Sequence, residues 1–162
     1  MRLSEGIEWS VHCCSILASL PEGAALSARD LAEYFDLPAA YLAKSLQHLS
    51  AAGLVSSRRG RNGGYALARP AADITLLGIV EAVEGRESSF RCTEIRRRGP
   101  CGVGDANYAR PCGIARAMWR ADAAWRDELS QVSLADIARS GLEEMPPRQL
   151  ERSLVWFEEK LN

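Results

Sequence analysis

Apolar positions recur at close to helical spacing in the first segment, where Ile7, Val11, Cys14, Ile16, Leu17 and Leu20 precede Pro21. That period predicts an amphipathic helix over 4–20. Ser27-Ala28-Arg29-Asp30 has the S-x-x-D form of a capping box ahead of Leu31 and Ala32, which predicts a short helix over 28–35. Pro38 loses nothing in a first helical turn and opens a helix carrying Tyr41, Leu42, Leu46 and Leu49, with Gly53 as its stop. The gap between these two helices is about two to three residues, the length of a helix-turn-helix.

The period then changes. Short strands are expected over 54–57 and 65–68, around the tip Arg59-Gly60-Arg61-Asn62-Gly63-Gly64. A helix-turn-helix followed at once by a basic hairpin is a winged helix, in which the second helix enters the major groove and the hairpin touches backbone or minor groove. A further helix over 74–83 closes at Gly85, and 86–111 shows no periodicity. After Cys112 a long helix places Ile114, Met118, Ala121, Trp125, Leu129 and Val132 on one stripe, which asks for a partner and is met most simply by a symmetric dimer. The tail over 146–162 is a short amphipathic helix with Leu150, Leu154 and Phe157. The expected fold is therefore mainly α with a small β-hairpin wing. A winged helix-turn-helix occupies 1–85, a loop 86–112, and a long dimerisation helix with a helical tail 113–162.

Charge sharpens this picture. The 162-residue chain has a formal net charge of -1, yet no Asp or Glu lies between Leu37 and Ala72, where Lys44, Arg58, Arg59, Arg61 and Arg69 all fall. Positive charge sorted onto one segment of a near-neutral protein is the footprint of a polyanion, and it points to double-stranded DNA. Lys44 and the wing arginines would neutralise phosphates, and Arg58, Arg59 or Arg61 would also suit a narrow minor groove. Asn62 can bond base edges or phosphate, while Gly63 and Gly64, ahead of Tyr65, allow close backbone approach. With Ser27 capping the first helix and Pro38 opening the second, Ala39, Ala40, Tyr41 and Lys44 are best placed to meet base edges; the two alanines offer only apolar contact to a thymine methyl. A solvated basic hairpin is the plainer reading. Gly60-Arg61-Asn62-Gly63 also matches the GxxG loop of the KH module, but that loop joins helices rather than strands.

The apolar content of 47% is that of a globular protein, and no window holds the roughly 18 apolar residues of a membrane span. With an acid early in the N-terminus in place of an apolar run, a cytoplasmic protein with no membrane partner is expected. Five cysteines in that compartment are poor candidates for a disulfide set. Cys92, Cys101 and Cys112 lie within or at the edge of the irregular loop, where thiolates can wrap an inorganic centre, although their spacing matches no zinc or redox pattern. Glu8 and His12 stand four apart on one helix face, within reach of a single metal atom, with Glu5 as the rival carboxylate. Cys13 and Cys14 read as packing residues, and Trp9 as an anchor beneath the DNA-binding helices that could reorient if a metal sat beside it. No nucleophile elbow, zinc-protease helix or nucleotide loop is present, so an enzyme is not expected.

Together, Tyr41-Leu42-Ala43-Lys44, Ala52-Gly53-Leu54-Val55, Arg58-Arg59-Gly60-Arg61-Asn62-Gly63-Gly64-Tyr65, Ile74-Thr75-Leu76-Leu77 and Glu81-Ala82-Val83-Glu84-Gly85 resemble the Rrf-two family of bacterial winged-helix transcriptional regulators. The cysteine loop and Cys112-Gly113-Ile114 extend the likeness to about Val132. In the iron–sulfur-cluster, nitric-oxide-sensing and redox-sensing branches of that family the loop binds a cluster. This chain lacks a His beside its last cysteine and spaces its cysteines more widely than the cluster regulators. With Glu8, His12, Cys92 and Cys112 it is most similar to the redox-sensing branch. The resemblance implies a 2Fe–2S cluster held by Cys92 and Cys112 of one subunit and by Glu8 and His12 of the partner subunit, with Cys101 spare or an alternative ligand, in a homodimer that senses redox state. A cluster-free regulator acting through its thiols or a partner protein is the alternative on the same fold.

Overall fold

The computed structural model describes residues 3–60 and 63–161 of the chain. Seven α-helices and one hairpin follow in the order α1 (Glu5–Ala18), α2 (Ala28–Phe35), α3 (Ala39–Ala51), β1 (Val55–Arg58), β2 (Gly64–Leu67), α4 (Leu76–Glu84), α5 (Gly113–Gln131), α6 (Leu134–Glu144) and α7 (Pro147–Leu161). The expected architecture is observed: a mainly helical fold with a small β wing.

The capping box forms as the sequence implies. The Asp30 amide donates to Ser27 Oγ at 3.1 Å and the Ser27 amide donates back to the Asp30 carboxylate at 3.1 Å. The turn into α3 is made by Asp36, which sits in the left-handed region at φ 52°, a conformation that Asp tolerates better than most residues. Its neighbour Leu37 closes the turn by donating to Ala32 O at 2.8 Å. Leu42, Leu46 and Leu49 turn inward from α3 and are fully buried with Leu26, Leu31, Ile79 and Leu134 in one core. Each such leucine contributes about 1.5–3 kcal/mol by leaving water.

The strands pair antiparallel, Val55 opposite Leu67 and Arg58 opposite Gly64, one residue displaced from the spans expected for each. Leu26 adds a third short bridge: its amide donates to Tyr65 O at 3.1 Å, and the Tyr65 amide donates to Leu26 O at 2.7 Å. Helix α4 begins two residues later than its pattern implied, because Ile74 and Thr75 are drawn into a bridge with the start of α6. The Leu134 amide donates to Ile74 O at 2.7 Å there, so α6 returns from the end of α5 and packs along α1. Helix α6 has no counterpart among the expected elements, although Ser133 and Asp136 form the same kind of capping box as α2.

Helix α7 docks on α2. The Tyr34 and Ser153 hydroxyls share a 2.6 Å hydrogen bond, Tyr34 stacks on Phe157 at 5.7 Å and meets Trp156 edge-on at 5.1 Å. Lys160 donates to Glu33 Oε2 at 3.0 Å. Leu154, expected on the packed stripe, faces solvent, because Trp156 and Phe157 supply the contact instead.

Candidate nucleic-acid interface and thiol loop

The buried stripe of α3 leaves Ala39, Ala40, Tyr41, Lys44, Gln47 and His48 on its exposed face. Tyr41 is 64% exposed, which a large aromatic on a packed helix rarely is. Gln47, one turn beyond Lys44, was not singled out from the sequence. Exposure on that face, with an amide able to pair with adenine, makes it a base-edge candidate.

The wing arginines are not equivalent. Arg58 Nη1 donates to Gly23 O at 3.0 Å, tying β1 to the loop after α1. Arg69 donates to Gly53 O through Nε at 3.2 Å and Nη2 at 2.9 Å, clasping the end of the hairpin to the end of α3. Arg59 is exposed at the tip, whereas Arg61 and Asn62 lie outside the described residues. The two glycines have a structural cause of their own. A Cβ on Gly63 would stand 2.4 Å from Arg58 O, and one on Gly64 would stand 2.5 Å from Leu26 O. Gly64 also sits at φ +152°. The hairpin closes only because both lack a side chain.

The loop beyond α4 is folded about Tyr108, a residue no sequence pattern marked. The Tyr108 hydroxyl donates to Arg96 O at 2.8 Å and accepts from the Val103 amide at 3.1 Å. The Arg96 and Arg97 guanidiniums lie 5.2 and 5.9 Å from the centre of its ring. Arg96 also pairs with Glu94, whose carboxyl is held below its ordinary range by that bond. Cys92 and Cys112 are half-buried and Cys101 is exposed, all as free thiols. Cys112 is the N-cap of α5, its Sγ accepting from the Ala115 amide at 3.3 Å, with Arg96 within electrostatic reach.

Cys13 and Cys14 are fully buried in the core, and burial pushes both thiols up to about 12. They are packing residues, as their sequence context implied. Glu8 and His12 stand exposed on α1, neither with a hydrogen-bond or ion-pair partner among the described residues. The His12 ring lies 5.5 Å from Phe35 of α2. Between them Trp9 turns the other way and meets Tyr41 of α3 edge-on, ring centres 5.7 Å apart. No cluster of three or more His, Cys, Asp or Glu side chains suited to a metal ion forms among the described residues, so one chain does not bring Glu8, His12, Cys92 and Cys112 together. No helix among the described residues is long and apolar enough to cross a membrane.

Known proteins share this fold. The family described as Rrf2, iron-dependent transcriptional regulator, matches residues 3–140. An HTH-type transcriptional regulator of Mycobacterium tuberculosis, Rv1287, is 34% identical over 145 residues, spanning 89% of this chain and 85% of that protein. YffB of Lactococcus lactis, also described as an HTH-type regulator, is 34% identical over 139 residues, spanning 85% and 87%. The solved structure of CymR, the global cysteine regulator of B. subtilis, superposes with a TM-score of 0.68 at 25% identity, over 86% of this chain and 98% of that one. IscR of T. potens shares the fold with a TM-score of 0.67 at 24% identity, over 90% and 93%. With the helix-turn-helix, the glycine-closed wing and these relatives in agreement, the chain belongs to the Rrf2 family: it is a DNA-binding transcriptional regulator, not an enzyme.

Proposed function

We propose that this regulator works as a homodimer on a double-stranded DNA operator, and that a 2Fe–2S cluster held between subunits makes its DNA affinity respond to redox state. The observation that carries the reading is the order of three neighbours on α1. Glu8 and His12 stand outward with no polar partner among the described residues, and Trp9 between them touches Tyr41 on the exposed face of α3. A change at the two outward donors thus has a one-contact route to DNA.

The residues present suit such a cluster. Cys92 and Cys112 are half-buried free thiols, and Cys112 caps the N-terminus of a 19-residue helix with Arg96 within electrostatic reach. One chain does not gather the four donors, so Glu8 and His12 of the partner subunit would complete the set and Cys101 would stay outside it. When bound, the cluster supplies a one-electron couple whose potential rises when nitrogen or oxygen ligands replace cysteine.

The protein's own residues do the rest. His12 and Glu8 would couple a change at the cluster to the position of α1. Trp9 passes a shift of α1 to Tyr41. Lys44 and Arg59, with Arg61 beyond the described residues, engage phosphates. The exposed stripe of α5, with Ile114 71% and Met118 44% exposed, faces its symmetry mate. Half-sites on DNA lie about one turn, roughly 34–36 Å, apart, so a small rotation between reading helices suffices to change affinity. In this division 1–85 reads DNA, 86–112 carries the loop donors and 113–162 pairs the subunits, in the cytoplasm, where thiols stay reduced.

Exposed Cys101, together with the likeness to a protein named a global cysteine regulator, favours one second reading, a cluster-free switch of oxidisable thiols. Anaerobic purification separates the two. Equal iron and sulfide with a visible spectrum bleached reversibly by dithionite supports the cluster; colourless, iron-free protein that still binds DNA moves the chemistry to the thiols.

A further inference from the structure

The chain leaving α4 does not wander into the loop. It runs back along α5 and is fastened there at successive turns. Arg126 Nη2 donates to Arg86 O at 3.2 Å and Glu87 O at 2.9 Å. The Asp122 carboxylate accepts from the Ser89 hydroxyl at 2.7 Å and the Ser89 amide at 3.2 Å. Trp119 Nε1 donates to Phe90 O at 3.4 Å. Positions 119, 122 and 126 share one face of α5, so the strap is continuous. Arg126 is itself gripped, its Nε 3.1 Å from Asp122 Oδ2 and its Nη1 2.9 Å from Glu81 Oε1 on α4. Helix α4 packs on α1 and α3, so the strap is anchored to the reading head.

The direction of the strap determines where it delivers the chain. It climbs α5 toward the end capped by Cys112. Trp119 lies seven residues along from that cap, about 10 Å of helix at 1.5 Å per residue. Cys92 follows Phe90 by two residues, which span up to about 7 Å. The last fastening therefore limits how far Cys92 can stray from the end of α5 that Cys112 caps, a limit that an untethered segment would lack.

We propose that Asp122 and Arg126, with Ser89, are positioning residues that fix Cys92 relative to Cys112 and tie that thiol pair to α4. This deepens the cluster reading above and rests on it for purpose, though not for geometry. The Asp122 carboxyl is held below its ordinary range, first by the Ser89 hydrogen bonds and then by Arg126, so the strap keeps its charge at neutral pH.

The test uses metal-free full-length protein with Cys101→Ser as parent, so that Cys92 and Cys112 are the reactive pair. A short bismaleimide, o-phenylenedimaleimide, is added, and intrachain crosslinking is followed by mass spectrometry against the rate of single-thiol labelling. The parent crosslinks readily. Asp122→Ala and Arg126→Ala lower the crosslink-to-label ratio about fivefold or more, as expected of a segment released from its tether. Asp122→Asn, which keeps an acceptor for Ser89, restores much of it, and Ser89→Ala supplies a mild variant should either alanine fail to fold. Folded variants that crosslink at the parent ratio overturn the proposal. Iron and sulfide in anaerobically prepared parent report separately on the cluster: a lowered ratio in the variants with no iron in the parent keeps the strap and discards the cluster.

Discussion

Trp9 of α1 and Tyr41 of α3 meet edge to face with ring centres 5.7 Å apart, and this contact links the helix bearing Glu8 and His12 to the one proposed to read DNA. Such aromatic pairs contribute about 0.5–1.5 kcal/mol beyond their buried area. Trp9→Ala should therefore lower stability modestly, leave DNA binding measurable, and flatten its difference between oxidised and reduced protein. Fluorescence anisotropy with a labelled operator, selected from a random library, checks this; a Trp9→Ala protein that switches like the wild type removes the contact from the route.

Gly64 is a position where the wing has no room for a side chain. A Cβ there meets the Leu26 backbone at 2.5 Å, in a strand bridge that joins the wing to the segment before α2. Gly64→Ala should cost about 1–3 kcal/mol through backbone strain, visible as an earlier thermal transition. An unchanged transition would mean that the hairpin closes differently.

The arginines separate by what they already hold. Arg59→Ala should weaken binding across DNA sequences and reduce the slope of log affinity against log salt by about one. Arg69→Ala should leave that slope alone and loosen the hairpin, because its guanidinium is engaged with Gly53 O. Titrations of both variants between low and moderate salt distinguish the two roles, and equal slopes for the pair would contradict the assignment.

The buried thiols give the protein an alkaline weakness. Cys13 and Cys14 titrate near 9 when exposed and are pushed up to about 12 by burial in the folded state. A group whose folded pKa is raised contributes stability that is complete below the unfolded value and is lost as pH climbs toward the folded one. Stability should therefore fall between about pH 9 and 12, less so in Cys13→Ala, measured by urea unfolding at each pH. Native protein should also resist alkylation at these two residues while Cys92, Cys101 and Cys112 react.

Much of the reading head was legible because its signals are local. Ser27 and Asp30 capped α2 as expected, Gly53 and Gly85 ended α3 and α4, and the charge-free-of-acids segment became the α3 face and wing. Helix α6 carried an equally local signal in Ser133 and Asp136 that went unread between two longer patterns. The strap was illegible for a physical reason: Ser89 and Asp122, or Glu81 and Arg126, are paired across tens of residues by the reversal of the chain, and neither partner marks the other. Tyr108 organises its loop in the same unannounced way. Glu8 and His12 were visible as a spacing, but the Trp9–Tyr41 contact beside them needed the packing of α1 on α3.

The most direct measurement is operator affinity of the anaerobic wild-type protein before and after dithionite, beside His12→Ala, at one fixed salt concentration. Reduction should change wild-type affinity about tenfold, roughly 1.4 kcal/mol, while His12→Ala should bind DNA normally and show no such change. Equal affinity in both states of the wild type, or a normal switch in His12→Ala, would contradict this reading.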